Sequence, residues 1–274
     1  MYIKTSVKKP TGASPGASAP KEPNVTIIDI DDVLSFPQRD FNGVKMEGNF
    51  VLKADSSMIQ VYMTPSKSKA SYESEGEEDS VQFKQKFEGE HPGNDLAINE
   101  FIQNWTGRNV IIIYGSCTDK FRKVLGSKCA PLQLKPSMQD DNDARKQMLV
   151  FEQHAATGFV PGHYLGDLVL QEAQLTGSKI TATLERGTQY RLTPLNTTEN
   201  IEFNQVDHAD GTIITLIGNG DEDPPVLKSG PGTNANIVVL LKNGADWTGF
   251  RDAAINLQVF DGGSKNYILE VSRS

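Results

Sequence analysis

The stretch Asn94 to Tyr114, NDLAINEFIQNWTGRNVIIIY, places the tightest constraint on what this chain can become. Ile98, Phe101, Ile102 and Trp105 recur at i, i+3, i+4 and i+7, so they share one face of a short helix. Asn94 or Asp95 can accept the first free backbone N–H groups, and Gly107 can take the left-handed turn that ends the helix. Val110 to Ile113 is a continuous β-branched run, the pattern of a strand covered on both faces. The apolar face of the helix needs a sheet to cover, and Ile111 and Ile113 belong to one. The expectation is a helix on a sheet in a mainly β chain, with Ile98, Phe101, Ile102, Trp105, Ile111 and Ile113 at the junction.

A chain of 274 residues is long enough for two domains. Residues 1–23 contain TGASPGASAPKEP, with little to bury, and read as a flexible arm. Residues 24–166 form the first expected domain. FVPGHYLGD, from Phe159 to Asp167, is the expected boundary, and 167–274 the second domain, with few charges and many Thr and Asn. No apolar run approaches the ~20 residues of a bilayer span, so no membrane insertion is expected. No apolar core follows Lys4, Lys8 and Lys9, so no signal peptide is expected and the chain should fold in a cytosol. Cys117 and Cys129 do not make a disulfide framework.

The first domain opens with a strand candidate at Val25 to Ile30. Val44 to Lys53 and Ser57 to Thr64 follow, with Asp55-Ser56 between them as a hairpin connection. Ser80 to Phe87 alternates as a half-buried strand, and Ser68 to Tyr72 is its partner. Between them lie Glu73, Glu75, Glu77, Glu78 and Asp79, five carboxylates in the seven residues 73–79. One reading is a solvated hairpin tip. The other is a charged loop at an assembly contact or facing a channel. Strands are also read at Phe121 to Lys128 and Pro131 to Lys135. Arg145 to His154 fits either a helix, through Ala144, Met148, Phe151 and Ala155, or a strand buried on both faces. In the second domain, short β runs start at Lys179, Thr188, Asn200, Thr212, Asn236, Ala254 and Asn266. Their spacing points to a small sandwich or barrel.

A net charge of −8 argues against a protein that grips nucleic acid, though not against one that lets it pass. No nucleophile elbow or Walker loop is present, and Gly218-Asn219-Gly220 only begins like a dinucleotide fingerprint. His91, His154, His163 and His208 lack metal spacing, and Asn219 to Pro225 fails the EF-hand pattern despite its oxygens. Trp247, Phe250 and Tyr267 read as core aromatics, with a sugar-stacking platform as the alternative. No enzyme, cofactor or metal is expected.

The segment Lys69 to Pro131 resembles the tail tube (major tail) proteins of long-tailed bacteriophages. The likeness rests on the acidic-tipped hairpin running into SVQFKQKFEGEHPG, then NDLAINEFIQNW, NVIIIY and VLGSKCAPLQL in that order. This resemblance implies a β-sandwich or barrel-type domain with one flanking helix, over residues 24–166. It implies self-association into hexameric rings stacked as a tube, contacts with other tail proteins, and passage of double-stranded DNA without tight binding. It also favours a closing strand at Arg145 to His154 and a place in the virion. The end of the chain, NYILEVSRS, is similar to small β modules of phage tail and fibre proteins. Such a module would decorate the tube exterior, with weak glycan contact. On this reading the inner wall is expected from Val44 to Thr64, and the Glu73 to Asp79 loop at an inter-ring or lumenal contact. The alternatives are another virion component (a tail terminator, distal tail adaptor or capsid decoration protein) and a glycan-binding adhesin acting through the second domain.

Overall fold

A computed structural model of the chain describes residues 6–119, 121–194, 199–220 and 222–274. It is mainly β, 47% strand and 8% helical. The strands run in order as β1 (Asn24–Asp29), β2 (Val33–Ser35), β3 (Gln38–Arg39), β4 (Lys45–Glu47), β5 (Val51–Leu52), β6 (Ile59–Tyr62), β7 (Lys69–Glu75) and β8 (Gln82–Pro92). The helix α1 (Leu96–Trp105) precedes β9 (Asn109–Tyr114), β10 (Arg122–Leu125), β11 (Leu132–Asp140), β12 (Arg145–Gln153) and β13 (Gly162–Tyr164). Then come β14 (Gln174–Thr176), β15 (Lys179–Ala182), β16 (Gln189–Leu192), β17 (Asn200–Val206), β18 (Ile213–Ile217) and β19 (Val226–Leu227). The last are β20 (Gly230–Pro231), β21 (Ile237–Leu240), β22 (Trp247–Thr248), β23 (Ala254–Asp261) and β24 (Asn266–Arg273).

Two compact units emerge. The first holds the chain up to Ile27, Arg39–Lys45 and Gln60–Tyr164. The second holds Ile28–Gln38, Met46–Ile59 and Leu165–Ser274. The last crossing, after Tyr164, falls inside the expected boundary segment. The earlier crossings were not visible in the sequence: they give residues 28–38 and 46–59 to the second unit.

In the first unit the strands follow the order β3-β4-β13-β10-β9-β11-β12-β8-β7, with β1 pairing both β6 and β9. Val110 to Tyr114 of β9 are all buried, as a β-branched run between two covered faces requires. Arg145 to Gln153 is a strand, paired with β11 on one side and β8 on the other. The expected hairpin between Val44–Lys53 and Ser57–Thr64 does not form. β4 joins β3 and β13, β5 pairs with β2, and β6 pairs with β1. Gly48 at φ +89° and Asp55 at φ +57° turn the chain between these short strands. A tube wall built on that hairpin therefore has no hairpin to rest on.

In the second unit β14, β16 and β18 lie parallel in one sheet, and β15, β17 and β19 lie parallel in another. The chain alternates between the two sheets, so successive passes stack like coils of a solenoid. The antiparallel pair β23–β24 continues the first sheet from β18, and β22 closes the second. Expected from strand spacing was a small sandwich or barrel; the stacking is instead solenoid-like. Side chains from both sheets share one core, including Ile180, Tyr190, Phe203, Leu216, Trp247 and Ile268.

The other face of the first sheet carries a polar row. Gln189, Thr215, Asn256 and Ser272 stand in register across β16, β18, β23 and β24. Residues 48–52 dock there. Asn49 Nδ2 donates to the Ile213 carbonyl at 2.9 Å and to Thr215 Oγ1 at 3.3 Å, and its Oδ1 accepts from Asp167 N at 2.8 Å. Gln189 Nε2 donates to the Phe50 carbonyl at 2.6 Å. A Cβ on Gly48 would stand 2.7 Å from Ser272 Oγ and 2.9 Å from Asn256 Nδ2, so only glycine lets the strand approach. Val51 extends the contact to Ile217 and Ala254 as a small apolar cluster.

Candidate assembly surface

The strands β11, β12, β8 and β7 form an antiparallel four-stranded platform in the first unit. The strict alternation read at Ser80 to Phe87 sends Phe83, Gln85 and Phe87 to the inner face, with Gln85 and Phe87 fully buried. The opposite face is set by register. Lys69, Glu73 and Glu75 of β7 lie beside Glu88, Lys84 and Gln82 of β8. Lys86, Glu88 and Glu90 lie beside Glu152, Val150 and Met148 of β12. Lys135 stands across from Val150 and next to Glu152.

Ion pairs knit this face together: Lys69–Glu88 at 3.8 Å, Lys84–Glu75 at 3.6 Å, Lys86–Glu88 at 2.5 Å, Lys135–Glu152 at 3.2 Å and Lys146–Glu90 at 3.1 Å. The hydrogen bond from Lys86 holds the Glu88 carboxyl below its ordinary range, and that from Lys135 does the same for Glu152. The folded pKa is lower than the unfolded one. The linked stability is therefore fully present above about pH 4.3 and is lost as pH falls through the folded values. Glu88→Gln with Glu152→Gln is expected to flatten the fall in melting temperature between pH 5 and pH 3. A parallel fall in variant and parent would refute that.

Both borders of the platform are open. β7 is the end strand of its sheet. Among the described residues, β11 pairs with β9 only at Leu132 and Gln133, and Leu134 bridges Thr106. Beyond that point β12 is its partner along to Asp140. Pro136 lies on this stretch, where a missing N–H is tolerated only at an edge. Exposed Tyr72, Val81, Met138 and Met148 lie on or beside the platform.

The acidic segment is divided by the fold. Glu73 and Glu75 belong to β7, Glu73 opposite Lys84 and Glu75 paired with it. Glu77, Glu78 and Asp79 form the exposed tip, closed by Ser80 N donating to the Glu77 carbonyl at 3.0 Å. A strand ending at Tyr72, as expected, would leave all five in one loop; β7 instead runs on to Glu75.

In α1, Asp95 caps the helix by accepting from Ile98 N at 3.0 Å, and Gly107 takes φ +84° just after it. Ile98, Ile111 and Ile113 are buried, whereas Phe101, Ile102 and Trp105 are half-buried. Phe101 stacks on Trp105 at 5.7 Å, and the Arg108 guanidinium lies 5.9 Å from the Trp105 ring centre. Gln147 of β12 pins the helix start through Asn94 Oδ1 at 3.0 Å. That polar contact carried no periodic signal.

A cavity of about 290 Å³ is lined by Ala70, Tyr72, Tyr114, Lys123, Pro161 and His163, among others. Burial pushes the Tyr114 phenol up to about 12 and the His163 imidazole below its usual value. His163 stacks on Phe121 at 4.1 Å. Among the described residues that line it, none is a carboxylate.

Among the described residues, no group of three or more His, Cys, Asp and Glu side chains could hold a metal ion. Asn219 to Pro225 includes residue 221, which lies outside the described residues. Gly218 and Gly220 are explained by packing. A Cβ on Gly218 would collide with the backbone of Gly249 and Phe250, and one on Gly220 would stand 2.5 Å from Pro224 Cα. Trp247 is buried in the second core while Phe250 is exposed, so the two do not share a platform. No helix among the described residues is long and apolar enough to cross a membrane. Comparison with family models, with curated proteins and with solved structures returned no match.

Proposed function

We propose that this chain is a structural subunit that polymerises through the platform β11-β12-β8-β7 into rings stacked as a tube, in the manner of a phage tail tube. The observation that carries this reading is the pair of open borders on one antiparallel platform. Strand direction alternates across the four strands, so β7 of one copy and β11 of the next meet antiparallel, continuing the same pattern. Pairing at both borders removes the exposed edges that otherwise invite uncontrolled association. A head-to-tail contact of this kind closes into a ring when its rotation divides the circle. Pro136 leaves the join one donor short at that point and confines it to the residues on either side.

The charged face is the proposed inner wall, in place of Val44 to Thr64. Each lysine on it is tied to a glutamate, so it offers no net positive field to hold phosphates. DNA can pass without sticking. The second unit is proposed as a decoration outside the wall, and residues 6–18, all exposed, as an arm to a neighbouring subunit. The test is negative-stain microscopy with sedimentation of the full-length chain. Rings or tubes with a central hole are expected. A folded monomer at high concentration after long incubation would overturn the reading.

A further inference from the structure

The two ends of the solenoid-like stack in the second unit differ. At one end the first sheet runs on from β18 through antiparallel β23 and β24 to β21 and β20, beyond the coils, and antiparallel β22 ends the second. At the other, β14 and β15 are the end strands of their two sheets, so the first coil has no coil before it. Stacked-repeat proteins need a polar outer face on the terminal repeat to remain apart. This coil instead exposes Leu170, Leu175 and Leu184, at 45%, 65% and 69%.

Its backbone is also poised to pair. Thr193 N donates to the Thr176 carbonyl, so the groups of Thr176 point toward β16. Alternation along the strand turns the N–H and C=O of Leu175 to the open side. The Leu175 carbonyl accepts from Arg186 Nη2 at 3.4 Å, a long and exposed bond that a strand N–H can replace.

Two features select the occupant. The coil presents two strand borders at once, one in each sheet, and a single extended peptide covers only one. A second copy of the same coil, turned about a two-fold axis normal to the sheets, presents both again and pairs them antiparallel. The coil also balances its charges: Glu172 and Glu185 against Lys179 and Arg186. A strongly charged partner finds no complementary field there, whereas a copy of itself does. On a chain of net charge −8, such a locally neutral surface is where two copies can meet without repulsion.

We infer that the first coil is a homotypic interface, in which β14 pairs antiparallel with β14 of a second copy around Leu175. This goes beyond the ring contact, which uses the other unit. Paired residues at a two-fold lie about 5.5 Å apart at Cα, a separation a disulfide spans. The test uses the full chain with Cys117→Ser and Cys129→Ser, to which Leu175→Cys or, as control, Leu240→Cys is added. Leu240 is 45% exposed on β21. Under mild oxidation, covalent dimers are expected to form at least ten-fold faster from Leu175→Cys than from Leu240→Cys. Equal rates, or no dimer at position 175, overturn the inference. Tubes without this cross-link would sink the coil interface alone; the cross-link without tubes would sink the ring reading alone.

Discussion

Asn49→Leu is expected to destabilise the second unit by about 3 kcal/mol, the cost of stranding two or more buried polar groups. Asn49 is 1% exposed and meets the polar row from the strap of residues 46–59. Leucine has nearly the same volume but no polar atoms. It leaves the Ile213 carbonyl, the Thr215 hydroxyl and the Asp167 N–H without their present partner. The row is a connected network, since Thr215 Oγ1 donates to Asn256 Oδ1 at 2.7 Å and Asn256 Nδ2 donates to Ser272 Oγ at 3.0 Å. Loss at one member therefore reaches its neighbours. Trp247 reports on this unit, being 3% exposed in its core. With Trp105→Phe as background, urea unfolding followed by Trp247 fluorescence should show an earlier midpoint at unchanged slope. An unchanged midpoint would mean that the strap is not a structural part of the unit. For the same reason residues 165–274 should not be treated as a separable module, because the strap lies far upstream.

How much of this could be read from the residues depends on what each feature looks like in one dimension. Periodicity found α1, with Asp95 and Gly107 at its ends, and the buried strand β9. It also found the alternating strand β8 and most long strands of the second unit, because each is a local pattern. Pairing direction is not local. Ile213 to Ile217 reads the same whether its neighbours run parallel or antiparallel, so the solenoid-like stacking was missed. Its parallel strands begin at 174, 189 and 213, too unevenly for a repeat to show. The strap is hidden for a related reason: Gly48 and Asn49 fall inside what reads as one strand from Val44 to Lys53, while their partners lie more than two hundred residues away at Asn256 and Ser272. For the assembly surface, the charges were legible one by one. Their cancellation on one face was not, since it depends on the register of four strands.

The corresponding test in the first unit is Gln85→Leu, again with an expected loss of about 3 kcal/mol from buried groups left unpaired. Gln85 is fully buried on the inner side of the platform, where the alternation of Val81, Phe83 and Phe87 would place another apolar residue. Its side chain joins three parts of the unit. Oε1 accepts from Gly126 N at 2.9 Å, just after β10, and Nε2 donates to the Phe159 carbonyl at 2.8 Å. Its own N–H donates to Gln153 Oε1 at 2.7 Å, at the end of β12. Phe83 and Thr157 exchange a pair of backbone bonds two residues away, at 2.7 and 2.8 Å. Gln85 thus fastens residues 157–159 and the end of β10 to β8. Leucine keeps the size and removes both side-chain partners. Amide exchange should then accelerate first at Gly126 and Thr157, while the amides of β18 and β23 in the second unit keep their protection. If the platform assembles as proposed, the same variant should lose tubes along with that protection. Unaltered exchange at Thr157 would show that this buried glutamine does not hold the platform.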